Sequence, residues 1–187
     1  MRKLRLQMQL SLDAFVAGPK GEIDWMVWDW DDELKKYVTE ITEPVDVIIL
    51  GRVLAQRFIP TWASRVKDPQ TADAFSHKMN DTAKIVFSKT IKSVEWENTV
   101  LAKSSLVEEI NKLKKQPGKD IIAYGGGNFV SNLIKHGLID EYHLFINPVA
   151  LGNGMSIFKG LENKLNLKLI KAKSFDCGIA LLFYQPK

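Results

Sequence analysis

The segment DIIAYGGGNFVSNLIKHG, Asp120–Gly137, holds the clearest fold signal in the chain. Its first residues, Asp120–Tyr124, make a short apolar run of the kind that forms a buried strand. Three glycines, Gly125–Gly127, follow at once, and apolar residues then recur at helical spacing across Phe129–Ile134. Gly137 is placed to cap the end of that helix. A buried strand that turns through glycines into a helix is typical of an α/β fold.

The same order of elements occurs upstream. The run VDVIIL, Val45–Leu50, predicts a strand buried on both faces, and Gly51-Arg52 leads directly into a helical pattern that runs through Phe58. A third short strand, Lys84–Ser88, ends in a turn with hydroxyl and amino groups. Because parallel strands present their carboxyl ends along one edge of a sheet, these three turns are expected to meet there.

Three further helices are predicted from their start signals. Asp31-Asp32-Glu33 places acidic residues before an amphipathic run that ends at Pro44. Asp68-Pro69 has the form of an N-cap followed by proline at the first helical position, and predicts a helix from there. Ser105 and Glu108 have the spacing of a capping box.

The first strand shows a different pattern. Across Lys3–Leu12, leucine and methionine alternate with arginine, glutamine and serine. Alternation with a period of two predicts a strand with one buried face. It also argues against a secretory signal, which needs an unbroken apolar stretch.

The pattern changes again after Asp140. Glu141–Asn147, Leu165–Phe175 and Ile179–Tyr184 have the character of strands with no helix between them. The last two flank Asp176-Cys177-Gly178, which resembles a hairpin turn. The chain is therefore expected to form a mixed sheet with helices on its faces and antiparallel strands at one edge.

Composition sets limits on size and surroundings. A chain of 187 residues with 45% hydrophobic and 26% charged residues predicts one globular domain spanning 1–187. The net charge of +4 allows anionic partners, but no basic stripe interleaved with aromatic residues predicts a nucleic-acid surface. One cysteine excludes an intrachain disulfide and favours a reducing compartment, so a cytoplasmic protein without a membrane span is expected. The three histidines show no metal-ligand spacing.

The strand-end turns carry the predicted chemistry. Glycines at the start of a helix let a ligand approach the backbone, and the free N–H groups there attract phosphate, although a turn that simply needs glycine explains Gly125–Gly127 equally well. Arg52 offers forked donors to a phosphate, although an ordinary surface arginine is the alternative. Ser88-Lys89-Thr90 offers two hydroxyls and a cation, although a solvated turn explains it as well. A pyrophosphate site beside a separate phosphate site matches the shape of NADPH.

With these features the sequence resembles the dihydrofolate reductase-like superfamily, and within it the C-terminal reductase domain of the bifunctional riboflavin-biosynthesis deaminase–reductase. The resemblance covers nearly the whole chain, and the segments that carry it are SLDAFVAG (Ser11–Gly18), LGR (Leu50–Arg52), VFSKT (Val86–Thr90) and YGGGNFVSNLIKHGLIDEYHLFINPVALGNGMSIF (Tyr124–Phe158). It implies a three-layer α/β/α fold with a mixed sheet, and a homodimer.

The resemblance also implies where NADPH would bind. The adenosine 2′-phosphate would lie against Arg52, Ser88 and Lys89, with Gly51 and Thr90 in the same turns. The pyrophosphate would lie against Gly125, Gly126, Gly127, Asn128 and Phe129. The nicotinamide would lie beside Ala14, Ala17 and Gly18. The family usually has threonine where this chain has Leu54, and glycine where it has Ala14. The first difference removes a hydroxyl expected near the cofactor phosphates.

Two carboxylates and two tryptophans are candidates for the substrate side. Asp13 ends the first strand, where it could orient substrate or relay a proton, and a turn or cap role is the alternative. Asp32 matches the helix position of the substrate carboxylate in dihydrofolate reductases, and stabilising the helix start is the alternative. Trp28 and Trp62 could stack on a flat ring or serve as core or interface residues.

The sequence thus predicts an NADPH-dependent reductase that transfers hydride to a small planar nitrogen-containing substrate. By resemblance, the reaction is reduction of the ribosyl group of 5-amino-6-(5-phosphoribosylamino)uracil. Reduction of dihydrofolate is one alternative. A nucleotide-binding module without turnover, which Leu54 favours, is another.

Overall fold

The computed structural model describes Met1–Lys187, and ten strands and five helices make up its regular structure. The strands are β1 (Leu4–Leu10), β2 (Phe15–Ala17), β3 (Val45–Gly51), β4 (Ala83–Phe87), β5 (Thr99–Leu101), β6 (Asp120–Ala123), β7 (Glu141–Ile146), β8 (Met155–Ser156), β9 (Leu167–Ser174) and β10 (Ala180–Pro186). The helices are α1 (Asp32–Thr42), α2 (Arg52–Lys67), α3 (Ala74–Asp81), α4 (Leu106–Lys115) and α5 (Gly127–Lys135).

Eight strands form one mixed sheet in the order β5-β4-β3-β6-β1-β7-β10-β9. The first six of these run parallel, while β10 pairs antiparallel with both β7 and β9. The predicted class of fold and its antiparallel C-terminal edge are confirmed. The remaining strands, β2 and β8, pair with each other in a small ribbon that the sequence did not predict.

Helices cover both faces of the sheet and make three layers. On one face, α4 and α5 pack on a cluster of 19 buried residues that includes Leu4, Leu6 and Leu133. On the other face, α1 packs over β7 and β10 around Tyr37, and α2 and α3 pack over β3 and β4 around Ile48. We call this second side the α1–α2 face.

Strand β1 lies in the centre of the sheet, between β6 and β7. Its apolar residues face the α4–α5 side, and its polar residues point into the α1–α2 face, where Gln7 is only 7% exposed. The prediction that this strand has one buried face is therefore wrong. Tertiary packing covers both faces, so that Gln7 is buried and Gln9 is half-buried.

Two helix boundaries also differ from the prediction. Helix α2 continues through Pro60 to Lys67, so Asp68 follows its end. The next helix begins after Asp73, whose carboxylate accepts a hydrogen bond from the Ser76 backbone N–H while the Ser76 hydroxyl accepts one from Asp73. A complete capping box outweighs the Asp68-Pro69 signal.

No helix combines the length and the apolar character that crossing a membrane would require.

Candidate functional site

The predicted turns meet at one edge of the sheet. Strands β4, β3, β6 and β1 are consecutive neighbours and run parallel, so the segments after Phe87, Gly51, Ala123 and Leu10 emerge side by side. Gly51 is level with Phe87 in the register of β3 and β4. Segments far apart in sequence thus form a continuous edge about three strand spacings wide, on the order of 14–15 Å.

The turns after β3 and β6 are in direct contact. The Gly51 N–H donates to the Gly125 carbonyl oxygen at 3.1 Å. A Cβ atom on Gly51 would lie 2.8 Å from the Cβ of Phe129, so only glycine fits between the two turns. The Phe129 ring packs against Phe87 of β4, with ring centroids 5.2 Å apart. The edge is therefore a packed structure rather than a set of loose loops.

Two helices begin at this edge without a side-chain cap. Asp31, Asp73 and Ser105 cap α1, α3 and α4, but Gly51 and Gly126 precede α2 and α5 with no side-chain hydrogen bond. The first intrahelical bond of α5 is donated by the Val130 N–H, which leaves the N–H groups of the three residues before it free for a ligand. No atom would lie within 4 Å of a Cβ on Gly126, so the backbone there faces open space.

The loop after β1 lies against the glycine turn. A Cβ on Gly127 would approach the Cγ2 atom of Val16 to 3.2 Å, which places β2 beside the start of α5. Ala17 is buried in β2, and Gly18 closes the loop by donating to the Glu22 carbonyl oxygen at 2.9 Å. Ala14 has a φ of +66°, the left-handed region that favours glycine.

The cationic groups predicted for a phosphate lie at the same edge. Arg52 makes only a 3.2 Å hydrogen bond to the amide oxygen of Gln56 and has no carboxylate partner. The Ser88 hydroxyl accepts from the N–H groups of Thr90 and Ile91, which shapes the turn around the exposed Lys89. Arg52 and Lys89 are thus free to meet an anion.

Asp13 joins two loops. Its carboxylate accepts hydrogen bonds from the Ser11 hydroxyl at 2.6 Å and from the backbone N–H groups of Leu151 and Gly152, at 3.0 and 2.7 Å. These donors lower the pKa of Asp13 to about 2. A carboxylate with these donors is ionised at neutral pH and can accept a proton, so the role of Asp13 in orienting substrate or relaying a proton stays a prediction. The contacts favour a role in positioning the loop after β1.

The other residues predicted for the substrate side lie on α1, on α2 and in the loop before α1. The Asp32 side chain is fully exposed and has only Lys35 nearby, at 3.6 Å, and its substrate role stays a prediction. Trp62 lies in the third turn of α2, where it is partly buried and packs edge-on against Phe58 and Phe75. These contacts favour the core alternative for Trp62, and its substrate role stays a prediction. Trp28 is 62% exposed in the loop before α1 and stays a prediction.

Sequence reasoning missed a polar group beside β1. Asn147 follows β7 and is completely buried, and it bonds to Gln9 and to the backbone of Val27. The signal available in the sequence was an asparagine directly after an apolar strand.

Comparison of the sequence with known proteins shows its family. The sequence model of the RibD C-terminal domain matches residues 2–181. The chain belongs to the RibD C-terminal domain family. YyaP of Bacillus subtilis, an uncharacterised protein, is 33% identical over 186 residues, which cover 98% of this chain and 94% of YyaP.

Solved structures of RibD-type proteins share the fold. A Shewanella protein assigned provisionally to riboflavin biosynthesis superposes with a TM-score of 0.75 at 24% identity, covering 100% of this chain and 99% of that protein. The Thermotoga maritima diaminohydroxyphosphoribosylaminopyrimidine deaminase/5-amino-6-(5-phosphoribosylamino)uracil reductase superposes with a TM-score of 0.71 at 18% identity. The RibD-like chain covers 57% of that bifunctional enzyme.

Proposed function

We propose that this RibD-family chain is an NADPH-dependent reductase. The observation that carries the proposal is the pair of uncapped helix starts, α2 and α5, joined by the Gly51–Gly125 hydrogen bond and open at Gly126. Backbone N–H groups and the positive ends of two helices suit a pyrophosphate. When bound, NADPH would supply the hydride.

In this proposal, the unpaired side chains of Arg52 and Lys89 favour NADPH over NADH. Arg52 and Lys89 end adjacent strands, and neither is neutralised by a carboxylate. A guanidinium and an ammonium on one side of the pyrophosphate site suit the extra phosphate of NADPH, which NADH lacks. Asp13 would hold the loop around Ala14 against the nicotinamide end of the edge.

Substitution of Arg52 by alanine tests the cofactor assignment. We expect Arg52→Ala to weaken NADPH binding by about 1.5–3 kcal/mol, or roughly tenfold to a hundredfold, because a charge-assisted contact is lost. NADH binding should change little. Quenching of tryptophan fluorescence during titration measures both affinities. Arg57→Ala, an exposed arginine on the same helix, is the matched control. Equal losses for NADPH and NADH would refute the role of Arg52.

We propose that the substrate is a small planar nitrogen heterocycle. Membership of the RibD family points to 5-amino-6-(5-phosphoribosylamino)uracil. The assay follows the loss of NADPH absorbance with this compound and, separately, with dihydrofolate. NADPH binding without turnover of either compound would favour a nucleotide-binding module. No specific contact of the structure favours dihydrofolate.

We also propose that the chain forms a homodimer in the cytoplasm. Strand β9 is an unpaired edge, and Leu169 and Ile170 on it are 50% and 43% exposed. Apolar side chains on an open edge are suited to pairing with a second copy. Light scattering of the purified protein gives the native mass, and a monomer at micromolar concentration would contradict the proposal.

A further inference from the structure

Two glutamines occupy an unusual place in the fold. Gln7 and Gln9 project from the central strand β1 into the α1–α2 face, between the cluster around α1 and the cluster around α2 and α3. Central strands buried on both faces are normally apolar throughout. Each glutamine therefore brings an amide group into an interior where every donor and acceptor needs a partner.

The hydrogen bonds around Asn147 fix the orientation of the Gln9 amide. The Val27 backbone N–H can only donate, so the Asn147 side-chain atom 2.9 Å from it is the oxygen Oδ1. Asn147 Nδ2 is then the donor to Gln9, at 2.8 Å, and it meets the Gln9 oxygen Oε1. The remaining Gln9 atom, Nε2, is a donor.

That donor and a nearby acceptor have no partner. Gln9 Nε2 and Gln7 Oε1 are both buried and make no hydrogen bond. Leaving buried polar atoms unpaired costs free energy, and a native structure keeps very few of them. The two residues are separated by one position on the same strand face, about 7 Å apart along the strand.

Their position relates them to the proposed cofactor. Gln9 is two residues before Ser11, where β1 leads into the loop assigned to the nicotinamide end of the edge. Tyr124 begins the glycine turn, and its buried hydroxyl also makes no hydrogen bond, although Thr42 lies near that hydroxyl. Tyr124 lies on the same side of the sheet as the two glutamines.

We propose that Gln7 and Gln9 are specificity-determining residues that read one edge of a neutral heterocycle. Gln9 Nε2 would donate to a ring carbonyl oxygen, and Gln7 Oε1 would accept from the neighbouring ring N–H. That pattern is a lactam or ureide edge, and the absence of charge on both amides selects a neutral ring. The inference rests on the proposed function, because it places the ring beside the nicotinamide.

Two uracils that differ only at the reading edge test the proposal. 6-Aminouracil keeps its ring N–H groups, whereas 6-amino-1,3-dimethyluracil has them methylated. Calorimetry with and without saturating NADP⁺ should show that the first binds at least about tenfold more tightly than the second, because a site built around hydrogen bonds rejects a ligand that lacks them. Equal affinity for the two, or no binding of 6-aminouracil, overturns the proposal.

Variants at Gln9 separate recognition from support of the fold. Gln9→Glu keeps an oxygen for Asn147 and removes the donor, and Gln9→Met removes both groups. Each is expected to weaken 6-aminouracil about tenfold or more while the NADPH affinity stays unchanged. Gln7→Leu should cause a similar loss and leave the urea midpoint unchanged or higher, since it removes an unpaired buried acceptor. A lower midpoint with unchanged ligand affinity would show a purely structural role and overturn the proposal.

The NADPH titration separates failure of this inference from failure of the proposed function. If NADPH binds and 6-aminouracil does not, the glutamine assignment is wrong and the cofactor assignment stands. If 6-aminouracil binds with the expected discrimination and NADPH does not, the cofactor assignment is wrong and the glutamine assignment stands. If neither binds, both are wrong.

Discussion

Gly126 offers a sharp test of the cofactor site, because it separates the fold from the ligand. Nothing lies within 4 Å of a Cβ built on this residue, and its φ of −77° is accessible to alanine. Gly126→Ala should therefore fold normally, with a free energy of unfolding within about 1 kcal/mol of the wild type. The new methyl group would occupy the space through which a pyrophosphate reaches the start of α5.

The expected loss of affinity follows from the hydrogen bonds at stake. Three N–H groups at the start of α5 are free, and a bond from one of them to an anion contributes about 1.5–3 kcal/mol. Losing one should weaken NADPH roughly tenfold to a hundredfold. Fluorescence titration measures the affinity, and urea unfolding shows that the variant is folded.

Gly51→Ala is the contrasting variant. Its Cβ would lie 2.8 Å from Phe129 Cβ, so packing must shift, and about 1–3 kcal/mol of stability should be lost. A Gly126→Ala protein with wild-type stability and wild-type NADPH affinity would refute the assignment of this turn to the pyrophosphate.

Two further predictions concern the loop after β1. Because the pKa of Asp13 falls from 3.8 to about 2 on folding, its contacts stabilise the fold above about pH 4 and are lost as pH falls towards 2. Asp13→Asn should remove this part of the acid transition measured by circular dichroism, whereas the exposed control Asp32→Asn should leave it in place. Identical acid curves for the wild type and Asp13→Asn would contradict the stabilising role of Asp13. Ala14→Gly should raise the free energy of unfolding by about 0.5–1 kcal/mol, because relief of the +66° φ exceeds the entropy cost of glycine. A lower urea midpoint for Ala14→Gly would show that the loop is not strained at this residue.

The local signals of the chain predicted most of its elements. Ser105 and Glu108 form the expected capping box at the start of α4. The glycine run after β6 leads into α5, and Gly137 follows its end with a φ of +61°. These features depend on residues within a few positions of one another, so the sequence contains the information that decides them.

The features that the sequence did not reveal depend on distant parts of the chain. Asp32 and Asp31 look equivalent in sequence, but only Asp31 turns inward to bond the N–H groups of Leu34 and Cys177, the latter 146 positions away. Helix α2 continues through Pro60, so Trp62 lies in its third turn and away from the helix start at the edge. Neither fact is contained in the neighbouring residues.

By itself, the sequence determined the α/β class, the antiparallel end of the sheet and the glycine turn at Tyr124–Phe129, since strand and helix periodicity and glycine's freedom at turns are local properties. Only the tertiary structure decided that β1 is central, because strand order depends on pairing between distant segments. Because of that placement, the alternating pattern that indicated a half-exposed strand puts Gln7 in the interior and leaves Gln9 half-buried. The polar residues of β1 acquire their meaning from the helices that close over them.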